Sequence, residues 1–300
     1  MLSQSFEIMH RIREAVSMEA MLECGLAMVG KRGWKVQYST RVDRFRNLFG
    51  AHPLIYTKIW SDLEPIDQER KLGYFLICLY WMKGYGTEVE LSSQFDLDEE
   101  TIRSWCWYYA ECIAEMAEDV IKLPQLDPQI QYPIAVDGIH CRSEEPKHPT
   151  DPYDKGMSSK KYGKKAAFSY EVAVSMTNQS IAWIRGPFQA GQYTDTVMFQ
   201  ECGLKYWLLS NKKQAFADAG YSGEGVSTPC GKYDAKEVNQ YKRRGRAKTE
   251  TLNSRFKRFH ILDSRFRGRS NRDGKHRIAF FAVAVIVGYQ LTNGSPLFDM

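Results

Sequence analysis

The chain has 300 residues, 43% hydrophobic and 26% charged, with a formal net charge of +5. These values exclude a disordered, collagen-like or low-complexity chain and allow one large domain or two modest ones. The longest apolar runs, Leu72 to Met82 and Ile278 to Val287, are too short to span a bilayer, and the first residues lack the apolar core of a secretory signal. A soluble intracellular protein with no membrane partner is therefore expected.

Residues 1–40 match no recognisable pattern beyond a turn at Gly30 to Gly33 and are left as an unassigned N-terminal extension. Residues 41–123 read as helical, with Leu72, Phe75, Leu76, Leu79 and Trp81 at helical spacing. Within them, Thr87 to Phe95, an Asp-Leu-Asp turn and Glu99 to Trp105 give the outline of a helix-turn-helix, with Asp98 as N-cap. The second helix opens on two acids and carries only Arg103 as an early base. That is poor for approaching phosphates, so a structural hairpin and a DNA reader stand equally. Pro124 to Pro133 reads as a linker.

Beyond the linker the period changes. Tyr132 to His140 reads as a strand, and Ser169 to Met176 with Ile181 to Ile184 as a hairpin. Thr194 and Asp195 cap a helix through Phe199, and Ala215 to Asp218 is a short strand. Lys248 to Phe259 reads as a helix, and Asp273 as the cap of a last buried helix from Arg277 to Leu291. Strands followed by alternating helices and strands imply an α/β class over residues 133–300.

Seven cysteines, at 24, 78, 106, 112, 141, 202 and 230, form no CxxC pair. They suit buried thiols in a reducing compartment better than a zinc site or a disulfide framework. The positive charge is concentrated. Lys236 to Arg277 holds 15 Lys/Arg against 4 Asp/Glu, and Lys155 to Tyr170 holds five lysines (155, 160, 161, 164 and 165) and no acid. Two basic segments on a near-neutral body suit a polyanion, here nucleic acid.

Three acids stand among these charges. Asp137 ends the apolar strand Pro-Ile-Ala-Val-Asp, and Asp218 ends Phe-Ala-Asp. A carboxylate at the end of a buried strand costs free energy unless it is hydrogen-bonded or binds a cation. Glu250 lies on a helix opposite Leu252, Phe256 and Phe259, on the side of Asn253 and Lys257. Such acids suit Mg²⁺ or Mn²⁺, and two ions together promote phosphodiester cleavage. Turn and cap roles for the aspartates, and a surface ion pair for Glu250, are the bland readings. Asp195 is a rival third ligand, but its place before Thr-Val-Met-Phe suits an N-cap better. His140 and Cys141 are neighbours on a strand and point to opposite faces, so they make no nucleophile pair.

Several motifs occur in one order: Asp137-Gly138 with His140-Cys141, Glu145-Pro146, Ser159-Lys160, Tyr170-Glu171, Trp183-Ile-Arg-Gly-Pro187, Asp195, Ala217-Asp218-Ala-Gly-Tyr221, Arg246-Ala-Lys-Thr-Glu250-Thr-Leu-Asn253-Ser-Arg-Phe-Lys257, and Gly294-Ser-Pro-Leu-Phe-Asp299. Together they resemble the DDE-superfamily endonucleases related to PIF/Harbinger and IS5-like transposases, over about residues 41–300. The resemblance implies an RNase H-like catalytic core, a mixed sheet flanked by helices, behind the helical region with its helix-turn-helix. It implies an acidic triad at Asp137, Asp218 and Glu250 holding two divalent ions, Mg²⁺ or Mn²⁺. It also implies DNA cleavage with strand transfer by the freed 3′-hydroxyl, a homo-oligomer, a separate Myb-like DNA-binding partner and a nuclear location. DNA contacts are expected from Lys160, Lys161, Lys164, Lys165, Arg243, Arg244, Arg246, Asn253 and Lys257. The alternatives are a non-catalytic, transposase-derived DNA-binding protein and an RNase H-like nuclease acting on hybrids or repair intermediates.

Overall fold

The computed structural model describes residues 16–30, 36–67, 69–144, 156–178, 180–201, 203–228, 236–267 and 272–297. Glu145, Pro146, Lys155, Cys202, Cys230, Phe298, Asp299 and the Gly33 end of the expected turn lie outside the described residues. The chain forms two compact units that interleave in sequence.

The first unit takes described residues 16–118, 258–262 and 278–294. It is helical: α1 Met18–Met28, α2 Tyr38–Phe49, α3 Pro53–Asp62, α4 Leu72–Gly84, α5 Glu88–Phe95 and α6 Glu99–Glu115, ahead of a single turn, α7 Ala117–Val120. Apolar residues surround α4, and it is buried nearly all round between α2 and α6. Trp60, Phe75 and Tyr109 pack around it with ring centroids 5.2–6.4 Å apart. The helices expected over 41–123 are present. In addition α1, capped by Ser17, and the start of α2 lie in the stretch that sequence patterns leave unassigned.

In the expected helix-turn-helix, a capping box at Thr87 starts α5, Asp96 turns the chain through a left-handed conformation, and Asp98 caps α6 by accepting from Thr101 N at 2.8 Å. Arg103, its one early base, is engaged by Glu88. Among the described residues no helix is long and apolar enough to cross a membrane.

The second unit takes described residues 119–144, 156–178, 180–201, 203–228, 236–257, 263–267, 272–277 and 295–297. Residues 121–133 are without helix or strand, as the prolines require. The strands are β1 Ile134–Arg142, β2 Ser158–Ser159, β3 Lys165–Ser175, β4 Ile181–Gln189, β5 Ala215–Ala217 and β6 Val226–Ser227. They form a mixed six-stranded sheet in the order β2-β3-β1-β5-β6, with β4 paired to β3. β1 runs antiparallel to β3 and parallel to β5, and β5 runs parallel to β6.

Alternation along β1 assigns its faces. Ile134 and Val136 join a core with Ala215, Ala217, Phe199, Leu204 and Leu208, the last three from α8 Asp195–Glu201 and α9 Leu204–Ser210. The opposite face receives α10 Lys236–Lys257. Gly245 sits where a Cβ would lie 3.2 Å from Phe216 and 3.3 Å from Ala135, so the missing side chain lets α10 approach the sheet. α10 starts well before the expected Lys248 and stops before Phe259, which precedes the short α11 His260–Asp263. α12 Arg272–Thr292 also begins earlier than expected, so Asp273 lies inside its first turn and is not the cap.

Candidate active site

The last residues that β1 and β5 pair with each other are Val136 and Ala217, and the next are Asp137 and Asp218. β1 runs on to Arg142 against β3, so Asp137 lies within its strand and does not end it as the sequence pattern suggests. Adjacent parallel strands thus deliver two aspartates at one level, at the carboxyl end of β5, where open α/β sheets place their sites. Both point to the α10 face. There they line a cleft with Phe216, Lys242, Arg246, Thr249 and Glu250. The three acids read from sequence therefore share one cleft.

Their environments differ. Asp137 is half-buried, and its Oδ2 accepts from Asn253 Nδ2 at 2.8 Å. Burial pushes its carboxyl up to about 6; nearby Asp195 and Asp218 act in the same direction against the hydrogen bond from Gly138 N. Asp218 is exposed and accepts from Gly220 N at 2.5 Å. Glu250 is exposed and engaged by Arg246, whose Nε donates to Oε1 at 2.8 Å one helical turn away. Among the described residues no three His, Cys, Asp or Glu side chains already stand close enough to hold a metal ion.

Asp195 departs from its expected role. Thr194 Oγ1 accepts from Val197 N at 3.4 Å, so Thr194 caps α8 and Asp195 is its first helical residue. The Asp195 carboxyl is raised by burial and by Asp218. It reaches the aspartate pair from the α8 side: it lies against Gly138, and its Oδ2 is 3.1 Å from where a Cβ of Gly220 would be.

Two further groups lie behind this cluster, and sequence patterns give them no role. Glu171 on β3 is fully buried. Its Oε1 accepts from Trp183 Nε1 at 3.0 Å, its Oε2 has no partner among the described residues, and burial pushes its carboxyl up to about 8. Tyr221 is 2% exposed, and its hydroxyl, without a partner among the described residues, is pushed up by burial and then by the charges of Glu171, Asp195, Asp137 and Asp218.

The basic residues divide into two sets. Lys160, Lys161, Lys164 and Lys165 are exposed, and Lys161 acts on Asp137, Asp195 and His140. Arg243, Arg244 and Arg246 are exposed on α10. Lys257 is instead committed inward, donating to His140 O at 2.6 Å and to Tyr162 Oη at 3.3 Å. Asn253 likewise faces Asp137, with its Oδ1 buried and unpartnered. His140 is held well below the usual imidazole range, at about 4, chiefly by burial, and its Nδ1 contacts Ser159 and Ser169 hydroxyls.

An all-oxygen donor set, with Asp137 raised by Asp195 and Asp218, Asp195 raised by Asp218, and no lysine or arginine among the described residues hydrogen-bonded to Asp137 or Asp195, fits a hard divalent cation. The model of one family, the DDE superfamily endonucleases, matches residues 136–287, just over half of the chain, and spans all four acids.

The chain belongs to the DDE superfamily endonucleases.

The mixed sheet flanked by helices agrees with this family. Searches of the curated proteins and of the solved structures returned no match. The family generally uses divalent metals.

Proposed function

We propose that this DDE endonuclease cleaves DNA phosphodiester bonds with Mg²⁺ or Mn²⁺ held by Asp137 and Asp218, and with Glu250 as the third acid of the family pattern. The observation that carries the reading is the position of Asp137 and Asp218 at one level, each just past the β1–β5 pairing, lining a cleft that Glu250 also lines. When bound, the ions would supply Lewis acidity at the scissile phosphate and its leaving oxygen, as in two-metal hydrolases.

The rest is the work of the chain's own groups. Asn253 fixes the rotamer of Asp137. Glu250 leaves Arg246 at little cost, because an exposed ion pair within one helix is weak. Arg246 is then free to meet a phosphate as a bidentate donor. The exposed lysines 160, 161, 164 and 165 and Arg243 and Arg244 neutralise the DNA backbone around the cleft.

The ordered motifs support a relationship to PIF/Harbinger and IS5-like transposases, with strand transfer by the freed 3′-hydroxyl as a second step. On this reading the enzyme works in the nucleus as a homo-oligomer, together with a separate Myb-like partner for site recognition. Nicking of supercoiled DNA tests the proposal. Cleavage should need Mg²⁺ or Mn²⁺, stop with a chelator and leave 3′-hydroxyl ends. Preference for an RNA–DNA hybrid over duplex DNA would overturn the substrate assignment.

A further inference from the structure

We propose that Asp195 is a carboxylate ligand of the first divalent cation, shared with Asp137 and Asp218, and that Glu250 joins only afterwards. The inference rests on the metal-dependent reading above and goes beyond its three-acid pattern.

Placement is the first argument. Gly138 follows Asp137 and lies on the α8 face of β1, and Gly220 follows Asp218 by two residues. A Cβ on Gly138 would overlap Oδ1 of Asp195. A Cβ on Gly220 would lie 3.1 Å from Asp195 Oδ2 and 3.3 Å from Asp218 Oδ1. The two missing side chains therefore make the space in which Asp195 comes up to the pair. The position is also tied down. Thr196 Oγ1 donates to Gly220 O at 2.9 Å and accepts from Ser222 N at 3.2 Å, stitching the first turn of α8 to the loop after Asp218.

The second argument is independent. The Tyr221 hydroxyl is buried, has no hydrogen-bond partner among the described residues, and lies within reach of the charges of Glu171, Asp195, Asp137 and Asp218. A buried hydroxyl without a partner costs free energy. A hydrated cation among these carboxylates gives it one.

Glu250 differs in each respect. It is exposed, engaged by Arg246, and reaches the cleft from the α10 side. Gathering three oxygens around an ion from the pose seen here requires breaking that pair only if Glu250 is among them.

Mn²⁺ binding to the full chain, by titration calorimetry and by loss of the free-ion electron paramagnetic resonance signal, tests the order. Asp195→Asn should weaken the tightest Mn²⁺ site by at least about tenfold, as Asp137→Asn does. Gly138→Ala, which keeps every charge but displaces the Asp195 carboxylate, should do the same. Glu250→Gln should leave that site within about threefold, on the same scale. Metal-free Asp195→Asn should melt at or above the wild-type temperature, because a repelling charge is removed.

Wild-type affinity in both Asp195→Asn and Gly138→Ala, with Asp137→Asn impaired, would overturn the inference and leave the nuclease reading standing. A lower metal-free melting temperature in Asp195→Asn would reduce the residue to a structural role and overturn it too. A wild-type chain that neither binds Mn²⁺ nor nicks DNA would overturn both.

Discussion

Asp137 and Asp218 stand at matched positions beside neighbouring parallel strands, each one residue past the last pair of the β1–β5 register. Nothing about a stable sheet asks for two carboxylates there. Asp137 is held partly out of water beside two like charges, and the sheet forgoes stability to keep it so. Asp137→Asn should therefore raise the stability of the metal-free protein at pH 8, on the order of 1–2 kcal/mol, while abolishing cleavage. Chemical denaturation with and without Mn²⁺ checks both.

The pH dependence of metal binding follows from the same carboxyl. Its pKa in the metal-free protein is raised to about 6, so protons compete with the cation below that value. Apparent Mn²⁺ affinity should be flat above pH 7 and fall as pH drops through 6. A profile flat down to pH 4.5 would contradict this.

Glu171 predicts a separate stability signature. Its carboxyl is raised to about 8 in the folded protein, against the ordinary 4.5. The folded state therefore holds a proton that the unfolded state has released throughout that interval. Stability from this group is full below pH 4.5 and is lost as pH rises towards 8, by up to about 1.4 kcal/mol per pH unit. Glu171→Gln should match wild type near pH 5 and exceed it at pH 8 to 9, measured by urea denaturation across pH.

Engagement of the phosphate backbone should show in the salt dependence of DNA binding. Replacing Lys160, Lys161, Lys164 and Lys165 together by Gln should weaken binding evenly across sequences. It should also lower the slope of log K against log salt, by roughly one unit for each phosphate no longer neutralised. Lys257→Gln should act differently. Its ammonium group serves His140 O and Tyr162, so its removal should lower the melting temperature more than the salt slope.

Helix α10 must lie close to the sheet for Asn253 to reach Asp137. Gly245→Leu puts a side chain where even a Cβ is tight against Phe216 and Ala135. Overpacking of this kind costs roughly 1–3 kcal/mol, and cleavage should fall with stability. Thermal melting and nicking rates report the two effects.

Much of this is legible in the sequence, where local chemistry and the final contact agree. Asp137 and Asp218 stand out because a charge after Ile-Ala-Val or Ala-Phe-Ala has few bland uses. Asp195 is easily misread because Thr194 and Asp195 are both good cap formers, and sequence alone does not tell which one turns inward. Helix α1 escapes notice because its Gly25 looks like a breaker; in the fold it lies against Phe45 and Phe49, where a Cβ would be 3.1 Å from the Phe49 ring. The first half of α10 lacks an apolar stripe, and its Gly245 makes sense only against the sheet. The burial of Glu171 and Tyr221 depends on which strands and helices cover them, and no local pattern carries that.

The most direct test is Mn²⁺-dependent nicking of supercoiled DNA by wild type, Asp137→Asn and Asp218→Asn, with each variant's fold checked by circular dichroism. The account predicts cleavage by wild type alone and none by either folded variant. Cleavage at the wild-type rate by a folded Asp137→Asn or Asp218→Asn protein would contradict it.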